Sequence, residues 1–261
     1  NCVEPAAVAS RHLIGHFIPG AIFGALAPAL PGRLLAGGAD PSWMSVWRGA
    51  WAHSGEPFVL TMFQVGGMGA RASKDGLSAT GFPSGVAGVP AEVVETLAPL
   101  VQHRRELRTD SGGAGRFRGG LGQRTAFSYR GRGPWSVSAM VDRTRFGAQG
   151  LEGGLPGALG EVLADGAPLQ PKSVIWLDPQ ARVQLNTPGG AGYGDPHERD
   201  PQRVLEDVVE GYVSIEAAAR DYGVVVRYLG EPDQLVRLPE HYAIDWEATA
   251  ELRGRREHAP S

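Results

Sequence analysis

Arg71 and Asp75 stand four apart in the loop Gly66-Gly67-Met68-Gly69-Ala70-Arg71-Ala72-Ser73-Lys74-Asp75-Gly76. A carboxylate at that spacing can orient a guanidinium through a charge-assisted hydrogen bond. The pair is expected to act together near a functional cleft, or to serve as a clasp holding the loop against neighbouring strands. Asp110, just before a second glycine-rich stretch, is the third candidate catalytic residue. Gly67 and Gly69 carry no side chain to keep a ligand from the backbone, and Gly190 does the same in Thr187-Pro188-Gly189-Gly190-Ala191-Gly192-Tyr193-Gly194. Arg116 and Arg118, inside Ser111-Gly112-Gly113-Ala114-Gly115-Arg116-Phe117-Arg118-Gly119-Gly120, could form an anion cradle, or could brace Asp110 and adjacent loops.

Other patterns fail the test of context. Gly67-x-Gly69-x-x-Ala72 fits a dinucleotide fingerprint, but the turn-forming residues after it open no helix for a pyrophosphate. Gly115 and Gly120 have phosphate-loop spacing, yet Leu121 stands where the lysine belongs. His12 and His16 could share a helix face as metal ligands, but no H-E-x-x-H surrounds them, and packing at a contact is the simpler account. Glu92 and Glu95 could be an acid/base pair or ordinary solvated residues. No G-x-S-x-G elbow occurs, and the single cysteine, Cys2, can supply neither a disulfide nor a thiolate cluster. No metal ligand set is therefore expected in this chain.

The elements that must position these residues alternate between helix and strand. Apolar spacing over 5–30, interrupted by Pro19 and Pro28, predicts two short helices. Trp43 to Trp51 and Phe58 to Val65 read as a hairpin, and Pro90 to Leu97 as a short helix. Between 124 and 187 lie five short β-like runs, at Thr125 to Tyr129, Trp135 to Val141, Leu159 to Leu163, Val174 to Leu177 and Arg182 to Leu185. Asp200 to Gly211 is an amphipathic helix, and Ser214 caps another that Gly223 ends. The expectation is a mixed, Gly-rich α+β fold with a β-sandwich or barrel-like module and C-terminal helices. Its regions are 1–110 (α+β), 111–196 (β-rich), 197–227 (helical) and 228–261, a polar tail expected to be disordered.

Composition narrows the function classes. The 261 residues can bury a substantial core, and 38 glycines with 20 prolines favour turns over long helices. A net charge of −3 with interspersed signs offers no field for nucleic acid. The most apolar stretch, Leu13 to Leu30, is broken by His16, Pro19 and Pro28, so no membrane span is expected. One cysteine suits a reducing cytoplasm. Because it begins Asn1-Cys2, the chain reads as a piece of something longer.

Taken in order, the motifs resemble the hydantoinase B/oxoprolinase family. They are Ala25-Leu26-Ala27-x-Ala29-Leu30-Pro31, Gly66 to Arg71 with Asp75-Gly76, Phe82-Pro83-Ser84, Glu106-Leu107-Arg108-x-Asp110-Ser111-Gly112-Gly113 through Gly122, Thr187 to Pro196, and Gly211-x-Val213-Ser214 with Tyr222-Gly223-Val224. The resemblance implies an ATP-dependent hydrolase of hydantoin- or oxoproline-type cyclic amides, with a carboxylase of acetone or acetophenone type, or a non-catalytic assembly module, as alternatives. It implies a hetero-oligomer with a hydantoinase A-type ATPase subunit that uses ATP and magnesium to phosphorylate the substrate carbonyl. It also implies a missing N-terminal half that holds zinc or manganese. Residues 228–261 match no family pattern.

Overall fold

The computed structural model describes residues 8–40, 42–231, 233–234 and 236–257, with the side chains of 8–12 and 255–257 outside that description. An opening helix α1 (Val8–Leu26) leads to β1 (Trp43–Ala50) and β2 (Pro57–Gln64), which pair antiparallel from Trp43↔Gln64 to Ala50↔Pro57. Next come α2 (Ala91–Leu97), β3 (Leu100–Leu107), β4 (Gln123–Tyr129) and β5 (Trp135–Met140). Four short strands follow, β6 (Glu161–Ala164), β7 (Ala167–Pro168), β8 (Val174–Leu177) and β9 (Val183–Asn186). Helices α3 (Pro201–Val209) and α4 (Ile215–Tyr222), strands β10 (Val226–Tyr228) and β11 (Tyr242–Ile244), and helix α5 (Trp246–Glu257) complete the chain.

A four-stranded sheet ordered β2-β1-β5-β8 faces a five-stranded sheet ordered β3-β4-β9-β6-β7, and both draw strands from each side of residue 110. Their inner faces share one core, in which Trp43, Trp47 and Val137 of the first sheet meet Leu100, Phe127, Val183 and Leu185 of the second. The α+β sandwich expected from the sequence is therefore present. Its tryptophans are buried without losing their polar bonds. Trp43 Nε1 donates to Asp142 O at 3.1 Å, Trp47 Nε1 to Ser45 Oγ at 2.8 Å and Trp135 Nε1 to Asp178 O at 2.8 Å.

Two expectations are corrected, and one strand appears where none was expected. Residues 8–26 form one helix that runs through Pro19, where the loss of one backbone bond is local. Leu100–Leu107, with no apolar alternation, is an edge strand whose charged side chains face solvent. The tail expected to be disordered contributes β11, which pairs with β10, and α5, whose Thr249 Oγ1 accepts from Val225 N at 3.0 Å. A second core of Val204, Val208, Val213, Ala217, Tyr222 and Val224 holds α3 and α4 together. Among the described residues no helix is long and apolar enough to cross a membrane.

Candidate functional site

The loop after β2 turns back on itself at Arg71, whose N–H donates to Lys74 O at 3.0 Å, and this turn delivers Asp75 to the C-terminal helices. Asp75 does not pair with Arg71. Its Oδ1 accepts from Arg118 N at 2.6 Å and Arg199 Nη1 at 2.8 Å, and its Oδ2 from Arg199 Nη2 at 2.8 Å. Arg199 Nη2 also donates to Asp207 Oδ2 at 2.8 Å, while Arg118 Nε reaches Asp207 Oδ1 at 3.2 Å. Asp75, Arg199, Asp207 and Arg118 thus form a chain of three ion pairs, closed into a ring by the main-chain N–H of Arg118 on Asp75. The arginines win Asp75 because a buried guanidinium with a planar fork can satisfy both carboxylate oxygens, whereas Arg71 has no carboxylate within ion-pair distance among the described residues.

Burial dominates the setting of this ring. Arg199 is 3% exposed, Arg118 5% and Asp207 6%. Burial pushes the Asp75 carboxyl up, but the bond and charge of Arg199, with Arg118 behind it, outweigh that effect and leave it below the ordinary carboxylate value. Burial likewise opposes the charge on Arg199, and Asp75 and Asp207 together hold it above the usual guanidinium value. Tyr222, almost wholly enclosed nearby, has its hydroxyl pushed above the ordinary phenol value by burial. The ring floors a cleft of about 540 Å³ that is also lined by Gln202, Arg203, Glu206 and Tyr212. With both carboxylates engaged by guanidinium groups, the arrangement is a fixed ionic clasp and not a proton shuttle. Asp75 stays ionised near neutral pH and can only accept hydrogen bonds.

The remaining candidates separate. Asp110 belongs to the start of α4, where its Oδ1 accepts from Ser214 N at 2.7 Å and its N–H donates to Tyr212 O at 3.0 Å. Arg116 lies on the surface, 3.8 Å from Glu198 Oε2 and 5.6 Å from the Phe117 ring centre. Glu95 accepts from Gln102 N at 3.0 Å, which joins α2 to β3 and gives Glu92 no acid/base partner. The His12 side chain lies outside the described residues.

The glycines are close to backbone, but the backbone is their own. A Cβ on Gly67 would overlap Gly120 O, one on Gly69 would overlap Ala36 O, and one on Gly190 would overlap Met68 O. Gly67 N donates to Pro188 O at 3.0 Å, Gly120 N to Met68 O at 2.8 Å and Gly190 N to Gly120 O at 2.9 Å. The three glycine stretches therefore stack on one another, and the N–H groups of Gly67, Gly113, Gly119, Gly120 and Gly190 are spent inside the chain. This stack fits no nucleotide phosphate. No group of three or more His, Cys, Asp or Glu among the described residues is placed to hold a metal ion.

Two residues of the ring, Arg199 and Asp207, escaped the sequence reading. Asp207 had a signal, an acidic residue three after Val204 and one before Val208 on the apolar face of α3. Arg199, 124 residues from Asp75, had none.

A family model described as hydantoinase B/oxoprolinase matches residues 1–196. The chain is 33% identical to the beta chain of the caprolactamase of Pseudomonas jessenii, over 80% of its own length and 38% of the relative's. The solved ATP-dependent caprolactamase of that organism overlays with a TM-score of 0.71 at 30% identity, covering 88% of this chain and 40% of that one. A protein of Pseudomonas sp. (strain NS671), named as the B component of a D-/L-hydantoinase, is 28% identical over 97% of the chain and 41% of the relative. The nucleotide-free structure of acetone carboxylase also gives a TM-score of 0.71, at 26% identity, over 94% of this chain and 38% of the other. The chain thus spans about two fifths of the length of each of these proteins.

Proposed function

Because the chain belongs to the hydantoinase B/oxoprolinase family, we propose that it is part of an ATP-dependent cyclic-amide hydrolase of hydantoin or oxoproline type. In this reading it works with an ATPase subunit that phosphorylates the substrate carbonyl. The observation that carries the reading is the 30% identity and TM-score of 0.71 to a structure titled an ATP-dependent caprolactamase. In this reading ATP with magnesium, and zinc or manganese, belong to the rest of the assembly. This chain supplies the rigid frame: the stack fixes three loops, and the clasp ties them to α3. Arg71 does not line the cleft beside the ring, and its proposed role in turnover rests on a side-chain Nε that is buried without a hydrogen-bond partner.

A carboxylase of acetone or acetophenone type is the second reading, favoured by the overlay on acetone carboxylase across 94% of the chain. The third, a module that only completes the assembly, draws on the inward use of the glycine donors. The complete enzyme, given ATP and 5-oxoproline, hydantoin or caprolactam, should open the ring and release phosphate without fixing labelled bicarbonate. Bicarbonate incorporation into a ketone would establish the carboxylase instead. If Arg71→Ala leaves both turnover and KM of the complete enzyme unchanged, Arg71 belongs to the frame and has no role in turnover.

A further inference from the structure

On a separate part of the molecule, a cavity of about 490 Å³ opens between α1, the segment 141–146 after β5, and residues 170–172 before β8. Its lining carries Arg143, Arg145 and Lys172 against a single carboxylate, Asp142, which is held by Lys172 Nζ at 2.6 Å. Two aromatic rings complete it, Phe17 from α1 and Phe146, the latter 79% exposed.

Arg143 is the unusual member. Its backbone adopts φ 56°, a left-handed conformation that is strained for a non-glycine residue. That backbone holds a guanidinium with poor local compensation. Nη1 donates to Gly147 O at 3.3 Å, Nη2 lies 3.9 Å from Asp40 Oδ2, and Nε has no hydrogen-bond partner among the described residues. The group lies 5.2 Å from the centre of the Phe17 ring, so it is held in place by stacking more than by ion pairing. Arg199 in the clasp shares an unpartnered Nε, but has both terminal nitrogens bonded to carboxylates. Arg143 is fixed, charged and under-coordinated beside open space.

We propose that this cavity binds a small organic oxyanion, a carboxylate or phosphate on an apolar or ring-shaped body. Arg143, Arg145 and Lys172 hold the charge, and Phe17 and Phe146 contact the body. Three cations stand against Asp142, paired with Lys172, and Asp40, 3.9 Å behind Arg143, and the remaining positive charge, centred on Arg145, sets the sign of the ligand. The fork of Arg143 accommodates a planar or tetrahedral oxyanion equally. The rings make a bare inorganic anion a poorer match than one with an apolar body. The proposal stands independently of the cyclic-amide reading.

Calorimetric titration of the full-length protein with benzoate, phenyl phosphate and neutral benzamide tests it. At least one of the two anions should bind tenfold or more tightly than benzamide, and which one does identifies the carboxylate or phosphate form. Arg145→Gln and Lys172→Gln, both at the rim where folding is not at stake, should each weaken that anion several-fold, and Phe146→Ala should weaken it while sparing inorganic phosphate. Arg143→Gln should abolish the preference in a protein that remains folded at the assay temperature, its melting temperature shifted by the loss of the charge beside Asp40. Equal binding of anions and benzamide, or anion affinity untouched by both rim variants, overturns the assignment.

Discussion

Asp75 and Asp40 are carboxylates with opposite outcomes from the same two forces. At Asp75 burial raises the pKa, but Arg199 and Arg118 lower it further, so the folded state favours the charged form. At Asp40, 6% exposed, burial raises the pKa, and Arg143, 3.9 Å away, does not make up the difference. Linkage then gives opposite pH dependences. The stability from Asp75 is present above its unfolded value of 3.8 and is lost as pH falls through its lower folded pKa. Asp75→Asn should therefore cost about 1.5–3 kcal/mol at pH 7, the range for a hydrogen bond to a charged group, since Arg199 keeps its pair with Asp207. In urea unfolding the gap from wild type should close below pH 3.8. A gap that is constant from pH 7 to pH 3 would show that the amide disturbs packing and not charge. For Asp40 the folded pKa is raised, so its contribution is present below 3.8 and is lost as pH rises through the folded value. Asp40→Asn should thus gain on wild type as pH climbs from 4 to 8. Wild type remaining ahead at pH 8 would mean that the Arg143 pair outweighs the burial cost.

Among the elements, the glycine stack carries the sharpest demand on sequence. Gly67 and Gly190 admit no Cβ without displacing the main chain of Gly120 and Met68, and the same main-chain atoms are joined by the stacking hydrogen bonds. Gly67→Ala and Gly190→Ala should each leave the protein unfolded or insoluble. Gly24→Ala, in α1 with open space around its Cβ, should instead raise stability by about 0.5–1 kcal/mol through its helix preference. Soluble Gly190→Ala with a native melting temperature would break the stacking account. This is also where sequence reading reaches its limit. Glycine announces a close approach, and it does not say what approaches; the three stretches read as ligand cradles because the partner strand was another glycine stretch far along the chain. Local signals survived better. The β1–β2 hairpin followed from alternation, and α4 from Ser214, whose Oγ accepts from Ala217 N at 3.1 Å, and Gly223 at φ 64°. Strand β3 was hidden because an edge strand with His103, Arg104, Arg105 and Glu106 facing solvent shows no apolar period. Helix α5 was hidden for a related reason, since its charged sequence gains order from tertiary contacts such as Arg253 Nη2 to Tyr222 O at 3.1 Å.

At the scale of the whole molecule, the proposed reading makes this chain the frame of a larger enzyme, with the chemistry completed from outside it. An unactivated lactam near neutral pH yields only to a strong nucleophile, a metal-bound hydroxide, or a carbonyl oxygen first turned into a leaving group. In the described residues Asp75 and Asp207 are committed to arginines, Asp110 to the α4 terminus, and the glycine donors to one another. The molecule also exposes Ile14, Ile18, Ile22 and Leu26 in steps of four along α1, the kind of apolar row at which larger assemblies meet. A chain that spans about two fifths of its relatives' length is expected to leave such a surface open. The reading therefore predicts that these 261 residues alone turn over nothing. Purified and mixed with hydantoin, 5-oxoproline or caprolactam, with or without ATP, magnesium, zinc and manganese, they should give neither ring opening nor phosphate release. Both should appear together when the rest of the family architecture and the ATPase subunit are supplied, and Ile18→Lys should lower that reconstituted activity by weakening assembly while leaving the melting temperature of the chain unchanged. Steady turnover by the chain alone would place a nucleophile within it that the clasp and the stack leave no room for, and would end the proposal that it is the frame of a larger enzyme.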